Sequence, residues 1–253
     1  MSEKVVKKPI NVSTRATVAF IASHVPSSAA ILEVGCGAGH VALQLLNRGY
    51  RVIGIDSDEE IIAQARERGS PVVQASWPAF KSDPVDAVVF TRSLHHIHPL
   101  QDAIAKSREV LQPAGTLLVE DFAFDEVDPV TIKWFLKVLG SPKGRSLIAP
   151  VPGEFVTMLM ASGDPVAEWY QSHDHELHTA AAMTQAIAES FTIRDTRSVP
   201  YLYRYLVPVL PEALEAVAFI EEMFREEARL GEFGEINLIG RRIVGSPREG
   251  DAT

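Results

Sequence analysis

Apolar residues in this chain fall in short, nearly unbroken runs separated by stretches of mixed polarity. The runs are Ala-Ile-Leu-Glu-Val over 30–34, Val-Ile-Gly-Ile over 52–55, Val-Val over 72–73, Ala-Val-Val-Phe over 87–90 and Leu-Leu-Val over 117–119. Runs this short, apolar on both faces, read as buried parallel strands. The pattern predicts strands near 30–35, 51–56, 71–75, 85–91 and 115–121. Helices are expected between them, over 40–48, 58–68 and 100–111, with Pro113-Ala-Gly115 as a turn. Strand and helix in alternation imply a parallel sheet, with ligands outside the carboxyl ends of the strands.

The pattern changes after Phe124. Residues 125–172 hold Pro129, Pro142, Pro150, Pro152 and Pro165 among Trp134, Phe135, Phe155, Trp169 and Tyr170. Helices are expected over 129–139 and 153–162. This insertion, 125–175, is too apolar for a linker; it reads as a lid over the substrate or as an extra packing layer. A returning core helix is expected over 178–190, with Met183, Ile187 and Phe191 on its apolar side, and a sixth strand over 191–197. A long acidic helix follows over 211–230, whose Glu221, Glu222, Glu226 and Glu227 read as a solvated face. A last strand is expected over 236–244. At the front, 1–10 is basic and irregular, and 13–25 reads as a helix packing Val18, Phe20, Ile21 and Val25, capped by Ser13 or Thr14. The tail 246–253 reads as disordered. The whole chain, 1–253, is expected to form one domain with its insertion.

Composition narrows the function classes. Of 253 residues 46% are hydrophobic, ample for a packed core, and the formal charge of −9 argues against a nucleic-acid partner. No apolar run approaches the roughly 20 residues that span a bilayer, and the start lacks a secretory h-region. The single cysteine, Cys36, cannot form an internal disulfide; a cytoplasmic compartment is the plain reading. Cys36 itself reads as a small apolar residue fitted between glycines rather than a reactive thiol.

The chemistry concentrates where the first run ends, in Glu33-Val-Gly-Cys-Gly-Ala-Gly39, with Asp56 closing the second run. Gly35, Gly37 and Gly39 permit a tight turn and close approach of a ligand to bare backbone. The helix from His40 offers free N–H groups and a positive dipole end to a negatively charged group. Asp56 can accept both hydroxyl protons of a ribose. Gly37, Gly39 and Ala42 also satisfy the looser dinucleotide pattern, so an NAD(P)-dependent oxidoreductase stays open. Glu33 weighs against it: a carboxylate there repels a pyrophosphate and favours an ammonium, as in a cofactor with an amino-acid end.

Four motifs, Glu33–Gly39, Gly54-Ile-Asp-Ser57, Asp86–Ile97 and Leu111–Glu120, together resemble the class I S-adenosylmethionine-dependent methyltransferases, in order and spacing, across roughly residues 29–123. The look is that of the small-molecule branch, similar to ubiquinone/menaquinone-biosynthesis-type enzymes. The resemblance implies a Rossmann-like α/β fold: a seven-stranded, mostly parallel sheet with helices on both faces, its last strand antiparallel, and a mainly helical lid inserted after the fifth strand. S-adenosyl-L-methionine is then the cofactor and a small molecule the methyl acceptor, in a monomer or homodimer. A non-catalytic protein that only binds the cofactor is the further alternative. By the same resemblance Glu33 and the Gly35–Cys36–Gly37–Gly39 loop hold the methionine portion, and Asp56 and Ser57 the ribose and adenosine. Ala75, Ser76 and Trp77 flank the adenine, and Thr91, Arg92 and Ser93 pass beside the methionine part. The family often has Asp where Ser76 stands. The N-terminal segment, 1–25, helps cover the cofactor.

Six of the eight histidines lie in two clusters, His95, His96 and His98, then His173, His175 and His178. Three readings stay open. His95, His96, His173 or His175 could accept a proton from the methyl acceptor. His175 and His178, with His95 or His96 and Asp174, could ligate a metal. Or the histidines hydrogen-bond the backbone. No metal is assigned. Tyr201, Tyr203 and Tyr205 share a face if 200–206 is extended. Arg92 and Arg204 could hold a substrate carboxylate.

Overall fold

A computed structural model of the chain describes residues 8–173 and 175–248. Of the irregular start expected over 1–10 and the disordered tail expected over 246–253, residues 1–7 and 249–253 lie outside the described residues, as does Asp174; Ile10 already opens a helix, and Ser246 and Pro247 end the last strand, so both expectations are corrected there. The elements follow as α1 (Ile10–Ala22), β1 (Ala30–Val34), α2 (His40–Leu46), β2 (Arg51–Asp56), α3 (Glu59–Glu67), β3 (Val72–Gln74), β4 (Val85–Thr91), α4 (Leu100–Val110) and β5 (Leu111–Phe122). Then come α5 (Pro129–Leu139), α6 (Pro142–Leu147), α7 (Phe155–Ala161), α8 (Pro165–Ser172), α9 (Ala180–Ser190), β6 (Phe191–Val199), α10 (Leu214–Glu232) and β7 (Gly240–Pro247).

One sheet runs in the order β3-β2-β1-β4-β5-β7-β6. The pairs β1–β2, β1–β4, β2–β3 and β4–β5 are parallel. A methyl group at Gly240 would meet Val199 and one at Gly245 would meet Phe191, so β7 runs antiparallel to β6. The Rossmann-like sheet and its helical insertion after β5 therefore stand as expected. Val18, Phe20 and Ile21 of α1, and Val25 just beyond its end, are buried with Ile31, Val41, Leu45, Val89 and Leu118, so α1 is a core element on one sheet face, though it stops at Ala22 rather than at Val25.

Several boundaries differ for identifiable reasons. The Lys8–Pro9 turn opens α1 at Ile10, accepting N–H bonds from Asn11 and Val12. Ser13 is thus inside the helix, where its hydroxyl donates to the Ile10 carbonyl at 3.0 Å, and it is not a cap. The expected turn at Pro113–Gly115 lies within β5: the register jumps from Val85↔Leu111 to Ala87↔Thr116, and the intervening residues bulge. Pro113 has no N–H to give a ladder, which suits it to a bulge. In the insertion α5 and α7 were expected, whereas α6 and α8 were not. Both open on a cap followed by proline, with Ser141 accepting from Gly144 and Asp164 from Ala167. The returning helix starts at Ala180, after the Thr179 cap, rather than at His178.

Two corrections concern polar residues. The segment after Pro200 is not extended: Leu202–Val209 forms a 3-10 helix, so the three tyrosines do not share one face. Tyr201 and Tyr205 meet ring to ring at 5.8 Å, while Tyr203 packs on Phe224 at 5.1 Å. The reason is Glu227. Its carboxylate accepts the successive N–H groups of Tyr201 (2.7 Å), Leu202 (3.0 Å) and Tyr203 (3.4 Å), a convergence that extended backbone cannot make. Glu227 is therefore fully buried, not part of a solvated face.

The chain divides into two compact units. The sheet unit comprises Thr14–Phe122, Glu176–Arg197 and the described chain from Arg241. The helical unit comprises the described chain up to Ser13, the described part of Ala123–His175, and Ser198–Gly240, so the insertion packs with the 3-10 helix and α10 as one body.

Candidate functional site

The glycine loop joins β1 to α2 at the carboxyl edge of the sheet, and its three glycines are required for different reasons. Gly35 and Gly39, at φ 69° and 71°, lie so close to Ser93 and Ser70 that a Cβ would come within 2.2 and 2.7 Å of their Cβ atoms. Gly37, at φ 50°, has nothing within 4 Å of a Cβ position. The first two glycines serve the protein's own packing; Gly37 faces open space, the cradle a ligand would fill. Asp56, ending β2, accepts the Gly37 N–H at 2.9 Å and the Asp58 N–H at 3.1 Å, fixing the loop's outer turn. The Gly35 and Cys36 N–H groups both donate to Ile55. Cys36 turns its side chain into a cluster with Ile62, Ala65 and Val72. Burial and the nearby Glu33 and Asp56 carboxylates push its thiol far above the ordinary range, so it is inert packing as expected.

A row of buried polar groups lies behind the loop. Glu33 shares a sheet face with Ile31, on the side where α2 begins. It accepts the Thr91 hydroxyl on Oε1 at 2.7 Å, and its Oε2 is buried without a hydrogen-bond partner. Burial raises its pKa to about 7, against the pull of Thr91, the Arg92 guanidinium and the Ala42 N–H. Arg92 takes φ 62°, donates its N–H to the Glu120 carbonyl at 2.7 Å, and has a buried Nη1 that makes no hydrogen bond. Glu120 is held by Arg242 at 2.6 Å and by the Thr17 hydroxyl at 2.5 Å. Ser93 closes the row, donating to the Val34 carbonyl at 2.5 Å.

Of the residues expected at the adenine, Ala75 is tied to Asp56 through its N–H at 2.9 Å, while Ser57 and Ser76 are exposed. Trp77 is buried; its indole N–H donates to Ala103 in α4 at 3.0 Å and its ring meets Phe90 edge to face.

The histidines do not keep their sequence grouping. His178 joins the first cluster: its N–H donates to the His95 carbonyl at 2.9 Å, and its ring lies 4.1 Å from that of His98. The Nε2 atoms of both rings face main-chain carbonyls, His98 toward Glu176 at 2.8 Å and His178 toward Ile97 at 3.0 Å. Burial pushes the pKa of His178 below its ordinary value, and the neighbouring His98 and His95 add to this. His173 belongs to the helical unit and has both ring nitrogens engaged, Nδ1 by the Trp169 carbonyl at 2.6 Å and Nε2 by the Tyr205 hydroxyl at 2.9 Å. His96 and His175 are exposed. His95 is buried, with Nδ1 at 2.6 Å from Asp121 Oδ1. Among the described residues no group of three or more His, Cys, Asp or Glu could hold a metal ion.

Asp121, Thr17 and Arg242 were not anticipated from the sequence. Asp121 had a signal: two acids in succession end the apolar run of β5, and both are buried.

The family model described as "Methyltransferase domain" matches residues 32–119. The chain is 34% identical over 101 residues to "Uncharacterized methyltransferase OB1106" of Oceanobacillus iheyensis, covering 38% of this chain and 47% of that protein. The chain thus matches about half the length of that relative. It is 24% identical over 240 residues to "Trans-aconitate 2-methyltransferase" of Variovorax paradoxus, covering 88% of this chain and 85% of that protein. Its fold is similar to that of a putative sarcosine dimethylglycine methyltransferase from Galdieria sulphuraria, with TM-score 0.57, 14% identity, and 97% and 91% of the two chains covered. No helix among the described residues is long and apolar enough to cross a membrane.

Proposed function

We propose that this chain, which carries a class I S-adenosylmethionine-dependent methyltransferase domain on its sheet unit, transfers a methyl group to a small-molecule acceptor. The observation that carries the reading is a pair of buried atoms at the carboxyl edge that make no hydrogen bond: Glu33 Oε2, and Arg92 Nη1, which lies 3.8 Å from Glu120 Oε1 in a long ion pair. An amino-acid end supplies a partner for each, an ammonium and a carboxylate. A dinucleotide supplies a pyrophosphate, which Glu33 repels. Gly37 leaves room for close approach to the backbone, and Asp56 stands at the end of β2 for a ribose. Ala75, with Ser57 and Ser76 exposed beside it, flanks the adenine; Trp77 braces that loop from behind through Ala103.

When bound, the cofactor supplies an electrophilic methyl on sulfur. The chain's own task is then to align the acceptor, exclude water and, where the acceptor is protonated, take its proton. The name of one relative, Trans-aconitate 2-methyltransferase, agrees with a small acceptor. The finer likeness to quinone-biosynthesis enzymes rests on the motifs over 29–123. A cytoplasmic monomer or homodimer with no nucleic-acid partner fits the net charge of −9 and the single cysteine.

Calorimetry tests the cofactor. S-adenosylhomocysteine should bind with micromolar affinity and NAD should not, and Asp56→Ala should abolish the binding. Binding of NAD alone would reverse the assignment.

A further inference from the structure

His95 is held on every side but one. Its carbonyl accepts the His178 N–H at 2.9 Å, its ring meets that of His96 at 4.0 Å with the planes tilted by 44°, and Phe122 meets it edge to face at 4.9 Å. Its Nδ1 lies 2.6 Å from Asp121 Oδ1. Asp121 is itself fixed: Oδ1 accepts the Phe122 N–H at 3.0 Å and Oδ2 the His95 N–H at 3.3 Å. Every neighbour of this carboxylate is a donor, so the hydrogen of the neutral ring sits on Nδ1. Nε2 then carries the lone pair. Nε2 makes no hydrogen bond among the described residues, and the side chain keeps 6% of its surface exposed. The ring follows Ser93, the residue packed on Gly35, and so lies at the same sheet edge as the glycine loop.

The other histidines lack this combination. His173 has both nitrogens engaged. His98 and His178 direct Nε2 to carbonyls. His96 and His175 are exposed.

We infer that His95 Nε2 is the proton acceptor of the reaction, that Asp121 is the positioning residue that sets its tautomer, and that the methyl acceptor is a group that still holds its hydrogen near pH 7, a hydroxyl. The inference rests on the methyl-transfer reading above. A carboxylate presents a free lone pair near pH 7 and needs no base, whereas an alcohol or phenol holds its hydrogen. The hydroxyl proton passes to Nε2 as the oxygen–methyl bond forms and the sulfur–methyl bond of the sulfonium breaks. The products are a methyl ether, the neutral thioether and an imidazolium, which Asp121 stabilises and which returns its proton to water.

Two-bond proton–nitrogen correlation spectra of the full ¹⁵N-labelled chain read the tautomer directly and need no cofactor. His95 should carry its hydrogen on Nδ1, and Asp121→Asn, whose amide can donate to Nδ1, should shift it toward Nε2. A wild-type ring with its hydrogen on Nε2 overturns the inference. Transfer of a labelled methyl group from S-adenosylmethionine to a panel of alcohols, phenols, carboxylates and tertiary amines reads the chemistry. With a hydroxyl acceptor His95→Gln should lower kcat by about 10²- to 10⁴-fold while KM changes little. Asp121→Asn should also lower kcat. Turnover confined to carboxylates or amines, and unchanged in His95→Gln, also overturns it. Should no acceptor turn over, the spectrum alone decides. Both variants should bind S-adenosylhomocysteine as the wild type does. A wild-type chain that fails to bind it defeats the methyl-transfer reading while the tautomer still tests the dyad.

Discussion

The sheet unit buries Glu33 and His95, and the helical unit buries Glu227 and His173. Burial raises both glutamates to about pKa 7. The difference lies in what each group still has to offer. Glu227 accepts three consecutive backbone N–H groups, with the Arg204 charge nearby, and His173 is held through both nitrogens. Glu33 keeps an oxygen without a donor, and His95 keeps a nitrogen without a partner. The same residue types, equally buried, thus have their hydrogen bonds filled in one unit and keep an atom open in the other, at the proposed site. A perturbed pKa alone does not separate the two; the count of unmet hydrogen bonds does.

The sharpest way to break this contrast is Glu227→Ala. It leaves three buried N–H groups without an acceptor and should cost more than about 3 kcal/mol of stability in urea titrations. What remains folded should bind S-adenosylhomocysteine unchanged. A loss of affinity with full stability would reverse the roles assigned to the two glutamates.

The pH dependence is comparable in size. Glu227 takes up its proton near 4.5 when unfolded and near 7 when folded. The native state therefore holds more protons in that window, and this contribution is complete below about pH 4.5 and lost as the pH rises through 7. Stability relative to Glu227→Gln should fall by roughly 3 kcal/mol between pH 4.5 and pH 8. A pH-independent difference between the two chains would rule out the shift.

Glu33→Gln should act in the other direction. It removes the charge that meets an ammonium, so cofactor affinity should fall by about 10- to 100-fold, while stability at neutral pH should not fall, because a costly buried charge is gone. The smallest effect is expected for Tyr205→Phe, which removes one hydrogen bond to His173 and should cost about 1 kcal/mol with no change in cofactor binding.

Much of the fold was legible in the chain. Strands buried on both faces betray themselves by unbroken apolar runs, and β1, β2 and β4 lie within a residue of expectation for that reason. The insertion was harder. Its helices α6 and α8 are only 6 and 8 residues long, too short for a periodic apolar stripe. Their signal was the cap-proline pair at Ser141-Pro142 and Asp164-Pro165, which also marks α5 at Asp128-Pro129. Tyr201–Tyr205 misled because alternating aromatics indicate a strand only where the backbone bonds to a neighbouring strand. Here the N–H groups go to Glu227, 22 residues beyond Tyr205 in the chain.

The sequence by itself determined the glycine loop, the acid at its start, the acid ending the second strand and the sheet that brings them to one edge. Those features are local: a turn needs glycine where φ is positive, and a buried strand needs apolar residues. Only the tertiary structure decided which polar groups remain available. Whether Glu33 or Glu227 keeps an open oxygen, and whether His95 or His173 keeps an open nitrogen, depends on donors and acceptors delivered by distant segments. Thr91 reaches Glu33 from 58 residues away, and Asp121 reaches His95 from 26. Hydrogen-bond capacity is filled in three dimensions, and no spacing along the chain records which atoms are left over.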